Sequence, residues 1–120
     1  MRPLCNASQK TVETLCVGRD TTFNVDVGAL CTEQQVSTIQ RHLQKALGNG
    51  VTMVAKTGAA STDNPHFIPP MVLTHVDHRM AIMREKTFGP VLGIMPVDNE
   101  AEAMRLANDS PYALAGSVWS

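Results

Sequence analysis

Aromatic side chains are scarce, at 4% of 120 residues against seven methionines. A core must therefore be filled by Val, Leu, Ile, Ala and Met, the last being flexible and tolerant of irregular gaps. Charge of one sign is not in excess either: Lys+Arg number 10 and Asp+Glu 11, for a net charge of -1. That balance leaves no electrostatic footprint for nucleic acid or an anionic membrane, and both partners are excluded. No apolar run is long enough to cross a bilayer, and residues 1–6 lack the apolar centre of a signal peptide. A soluble, cytoplasmic protein is expected. Cysteines are few: Cys5, Cys16 and Cys31 are an odd set without C-x-x-C spacing, so neither a disulfide framework nor a zinc knuckle is indicated. Repeats, low-complexity tracts and linkers are absent. One domain is expected, burying about 65% of the surface its unfolded chain exposes.

What is present begins vaguely. Residues 11–17 suit either the last turns of a helix or a short strand stopped by Gly18, and residues 21–30 read as an extended connection. Thr32 with Gln35 three positions on then forms a capping-box pair. Val36, Ile39, Leu43, Ala46 and Leu47 make one apolar stripe behind it, with Gln40, Arg41, Gln44 and Lys45 facing water and Gly48 as the terminating glycine. His42 is placed at the surface. Strands are predicted at 51–55 and 71–76, separated by a polar loop at 57–65; Pro69 and Pro70 suit a strand end or an edge. A short helical turn is expected over 79–84.

The stretch 80–97 organises the rest. Gly89 and Pro90 forbid a continuing helix, and the apolar run from Val91 reads as a strand buried on both faces of a parallel sheet. Arg84, Glu85, Lys86, Thr87 and Phe88 then stand at the mouth of that sheet, the kind of rim where open α/β sheets bind ligands. Asn99 and Glu102 cap a following helix whose apolar side is Ala101, Ala103, Met104, Leu106 and Ala107, and residues 113–119 return as a strand. A strand, helix and strand in this span predict a βαβ unit. The fold class expected is α/β: a truncated, open, mostly parallel sheet flanked by helices.

Several landmarks occur in a fixed order. They are Asp26 to Leu30, Phe67 to Leu73, Val76 and Asp77 with Met80 beyond, Arg84 through Val91, Glu102, Ala107 and Asn108, and Tyr112 to Val118. In that order and spacing the chain resembles the aldehyde dehydrogenase superfamily over roughly residues 15–120, with residues 1–14 a divergent N-terminal segment. The resemblance implies a single partial catalytic-domain-like unit and the family activity, NAD(P)-dependent oxidation of an aldehyde to a carboxylic acid through a cysteine thiolate and a glutamate-activated water. In the family's E-E-x-F-G-P-V motif the second acidic residue binds the nicotinamide ribose and the Phe packs near the nicotinamide. By position the cofactor-binding candidates are Phe88, Lys86 and Glu85. Lys86 stands where the family has a carboxylate, and an ammonium group is a donor only.

The resemblance also marks what these residues lack: the G-Q-x-C nucleophile context, the dinucleotide-binding domain, and the closing oligomerisation strand. The chain therefore reads as an internal slice of a catalytic domain, inactive alone, with no catalytic residue assigned. Cut sheet edges imply a homo-oligomer, a dimer that could be domain-swapped, and the alternative function is a self-associating or partner-binding module without chemistry. The rim at 85–88 has a second reading as a solvated turn. Cys31, just before a helix N-cap, is the best placed of three thiols read as inert. His75, Asp77 and His78 are read as no metal site, because on a strand His75 and Asp77 share one face and His78 lies opposite.

Overall fold

The computed structural model describes residues 2–19, 21, 23–58, 63–113 and 115–119. Its elements run α1 (Arg2–Thr14), α2 (Glu33–Gly48), β1 (Thr52–Lys56), β2 (Met71–Thr74), α3 (Ala81–Arg84), β3 (Val91–Ile94) and α4 (Glu100–Asn108). The sheet has three strands in the order β1-β2-β3, with β1 antiparallel and β3 parallel to the central β2. It is thus an α/β fold with a mixed sheet: the parallel pair matches the expectation, and the hairpin-like pairing of β1 was not foreseen.

Burial on both faces belongs to β2, all four of whose residues are buried. β3, expected to hold that place, is the edge instead, and Leu92 is 49% exposed. One face of the sheet packs Leu73, Val51 and Val76 against Ala46 and Leu43 of α2 and Ile82 and Met83 of α3. The other packs Val72, Ala55 and Ile94 against Cys5 and Val12 of α1. Between Met53 and Ala55 the β1–β2 register shifts by one residue. That bulge turns Val54 and Ala55 both towards α1, where strict alternation would have separated them.

The helix signals held at the start of α2. The Thr32 side chain accepts from the Gln35 backbone N–H, and Gln35 reaches back to the backbone of Thr32, both halves of a capping box. At the other end Gly48 is the last helical residue rather than the terminator; Gly50, with φ +83°, takes the left-handed position. Residues 11–14 close α1, as the helix reading of 11–17 has it, and in place of a short strand only Val17 forms an isolated parallel bridge, with Val27.

The largest departure is at the far end. Asn99 caps α4 by accepting from the Glu102 N–H, as expected, yet α4 buries none of its residues and Met104 is exposed. Among the described residues of 113–119 no strand forms, and Trp119 is 91% exposed; Leu114 lies outside the described residues, as do 59–62 of the predicted loop and Ser120. A strand needs a ladder partner and a face to cover, and the described part of this segment finds neither. The parallel connection that does form runs from β2 through α3 to β3.

Candidate functional site

Glu85 leaves α3 with extended backbone (φ -96°, ψ 152°), and the side chains that follow fall alternately on two sides. Glu85 and Thr87 meet α2. The Glu85 carboxylate accepts from Arg41 Nη2 at 3.1 Å and from His42 Nε2 at 3.0 Å, while His42 Nδ1 lies 2.6 Å from Thr87 Oγ1. Lys86 and Phe88 face the first turns of α2, where with Thr32, Gln34, Gln35 and Thr38 they line a shallow cavity of about 200 Å³. The Lys86 ammonium sits 5.4 Å from the centre of the Phe88 ring, a cation–π pair, and Phe88 remains 56% exposed. Behind them Gly89 touches α2 so closely that a Cβ there would collide with Ile39 Cδ1. The three residues named from sequence are therefore brought together on one edge, with Glu85 serving as anchor and Lys86 and Phe88 presented outward.

Two sequence expectations change here. His42 is 1% exposed, not a surface residue, because its ring is drawn under the 85–87 segment by two polar partners. Its place at i+3 from the buried Ile39 was the available signal. The rim also stands at the amino end of β3, opposite the carboxyl ends where open parallel sheets ordinarily bind ligands.

The carboxyl ends of β2 and β3 open instead on a cavity of about 630 Å³ whose lining includes His75, His78, Arg84, Arg105 and Asp109. β2 stops at Thr74, so His75 to His78 lie beyond the strand and the expected sharing of faces does not apply. His75 has φ +60°, Asp77 is bound by Arg79, and His78 Nε2 lies 2.9 Å from Asp109, which also holds Arg84 at 2.9 Å. Among the described residues no group of three or more His, Cys, Asp or Glu is placed to hold a metal ion.

These pairings set the carboxylates. Hydrogen bonds from His42 and then Arg41 hold Glu85 below its ordinary value, and Arg84 followed by His78 does the same for Asp109. The Arg79 hydrogen bond lowers Asp77 to about 2. Of the thiols, Cys16 and Cys31 are exposed and Cys5 packs against the α1 side of the sheet. The Cys31 backbone N–H donates to Gln35 Oε1.

A family model described as the aldehyde dehydrogenase family matches residues 2–120, extending the resemblance towards the N-terminus beyond residue 15. The chain belongs to the aldehyde dehydrogenase family. It is 41% identical over 98 residues to a putative succinate-semialdehyde dehydrogenase [NADP(+)] of Mycolicibacterium smegmatis, covering 82% of this chain and 19% of that protein. Over 111 residues it is 40% identical to the 4,4'-diapolycopene aldehyde oxidase of Methylomonas sp, covering 92% and 20% respectively. In structure it is similar to a Mycobacterium tuberculosis aldehyde dehydrogenase complexed with NAD+, with TM-score 0.89 and 37% identity over 99% of this chain and 25% of that one. This chain spans about a fifth of the length of the curated relatives it matches. No helix among its described residues is long and apolar enough to cross a membrane.

The cavity beside Phe88 can be weighed against the family's cofactor. A space of about 200 Å³ is below the ~300–1,000 Å³ of typical ligand pockets, so it suits one ring or one sugar and not a dinucleotide. Its chemistry fits that portion: an aromatic face, a donor-only ammonium, and the hydroxyls and amides of Thr32, Thr38, Gln34 and Gln35.

Proposed function

We propose that this chain supplies the nicotinamide-proximal edge of an NAD(P)-dependent oxidation of an aldehyde to a carboxylic acid, as part of a single catalytic-domain-like unit in the cytoplasm. The observation that carries the reading is the joint presentation of Lys86 and Phe88 beside the first turns of α2. Phe88 would offer its ring to the nicotinamide, and Lys86 would donate to a ribose oxygen where relatives by resemblance use a carboxylate. Nicotinamide supplies hydride acceptance when bound. Glu85 acts from behind, through His42 and Arg41, rather than by contact.

These 120 residues alone carry no nucleophile in the G-Q-x-C context and are proposed to be inactive without it. The experiment is NADH or NADPH formation with short and aromatic aldehydes, beside titration of the chain with NAD+ and NADP+ followed at the Phe88 ring. Resonance changes confined to Lys86 and Phe88 without turnover support the reading; turnover that disappears in Cys31→Ser refutes the inactivity claim.

A second reading, self-association into a dimer, is favoured by the exposure of Leu92 on an edge strand together with Val118 and Trp119. A sedimentation profile of pure monomer at micromolar concentration removes it.

A further inference from the structure

We infer that His42 is the positioning residue of the Lys86–Phe88 edge, a buried two-sided clamp that fixes which way each side chain of the 85–88 segment points. Its purpose rests on the nicotinamide reading above; its existence does not.

His42 is buried in α2, and burying an imidazole without partners is costly, so its two ring nitrogens must both be satisfied. They are satisfied by one segment on either side of one residue: Nε2 by Glu85 and Nδ1 by Thr87. Glu85 is held in its ionised, acceptor-only form, so Nε2 carries the proton shared with it. The Thr87 hydroxyl, able to donate or accept, completes the other nitrogen. In an extended chain, residues 85 and 87 share a face and residues 86 and 88 share the opposite one. Pinning the first pair to His42 therefore turns Lys86 and Phe88 together towards the cavity, and their cation–π pair is the readable consequence. Arg41 adds a second donor to Glu85 from the same helix, but it is exposed and reaches only one end of the segment.

A residue serving only the core would not need this pattern. A buried Leu in place of His42 would fill space between α2 and the segment without distinguishing 85 and 87 from 86 and 88. The clamp thus predicts an effect on side-chain direction separable from global stability.

The test uses the full 120-residue chain, isotope-labelled, as wild type, His42→Ala, His42→Gln and Thr87→Val. Backbone order parameters at 86–88 are expected near ~0.85 in the wild type and below ~0.6 in His42→Ala, a rigid segment becoming a flexible one. The upfield displacement of the Lys86 ε-methylene protons by the Phe88 ring should disappear with it. His42→Gln, which can still donate to Glu85, should recover part of both signals. Thr87→Val, a near-isosteric change at a part-buried position, keeps the test open should His42→Ala fail to fold, and it too should loosen 86–88. Nitrogen spectra should place a proton on His42 Nε2. Rigid 86–88 residues with an unchanged Lys86 shift in Thr87→Val, or in a folded His42→Ala, overturn the inference. NADH that leaves the Lys86 and Phe88 resonances of the wild type unmoved, while those residues remain rigid, counts against the cofactor reading and leaves the clamp standing.

Discussion

α2 and α4 open with the same device and meet different fates. Each begins at a short polar cap, Thr32 or Asn99, whose side chain accepts from the N–H three residues on. Each carries apolar residues at helical spacing. α2 buries Val36, Ile39, His42 and Ala46, whereas α4 buries nothing. The first is sealed between the sheet and the 85–89 segment. The second is tied down chiefly at its end, through Asp109 to Arg84 and His78. A cap decides where a helix starts; a neighbour decides whether its apolar face matters.

Core truncation should separate the two most sharply. Ile39→Ala removes a fully buried side chain and is expected to cost about 2–5 kcal/mol, while Met104→Ala, half exposed on α4, should stay within about 0.5 kcal/mol. Urea denaturation of both variants measures it, and equal losses would erase the contrast. Next comes Gly89→Ala: the added Cβ meets the Ile39 side chain, so overpacking should lower stability by about 1–3 kcal/mol. Gly116→Ala, where a Cβ meets nothing within 4 Å, is its control. If Gly89→Ala melts like wild type, the close approach of the 85–89 segment to α2 is wrong.

Removing the caps sharpens the comparison on a smaller scale. Thr32→Ala should cost about 1 kcal/mol in the global transition, because α2 is part of the cooperative core. Asn99→Ala should reduce helicity by circular dichroism with little change in that transition. Smallest is an acid effect. Asp77 titrates near 2 in the fold against an ordinary 3.8, so its pairing with Arg79 stabilises above about pH 4 and is lost as pH falls towards 2. In Asp77→Asn the stability lost across that window should be less steep, and an unchanged slope would mean that so exposed a pair contributes nothing.

The same contrast explains what could be read from the chain. The capping box, the stripe through Ile39, the largely apolar run at 71–74 and the Gly89–Pro90 break are local chemistry, and each appeared where its residues placed it. The edge position of β3 and the bare face of α4 depend on which other segments are present to cover them, and residues 91–119 do not encode that by themselves. At the site, position along the motif was enough to bring Glu85, Lys86 and Phe88 together. The role of Glu85 as an anchor was hidden, because its partner His42 lies 43 residues away and reads as polar in a helical pattern. A titratable residue three positions beyond a buried isoleucine on the same helix is the sign that could have revealed it.

The register shift in β1 makes one site in the sheet indifferent to chain length. Without Val54, Met53 would still oppose Leu73 and Ala55 would still oppose Val72, now in an unbroken antiparallel ladder. Loss of Met53 or Ala55 would close the same bulge, but Val54 would then take the vacated place opposite Leu73 or Val72 and change the side chain offered to that face. Loss of a codon should therefore be mildest at 54, at the expense of one half-buried valine, and costlier at 53 or 55, where a valine replaces the Met or Ala that now packs there.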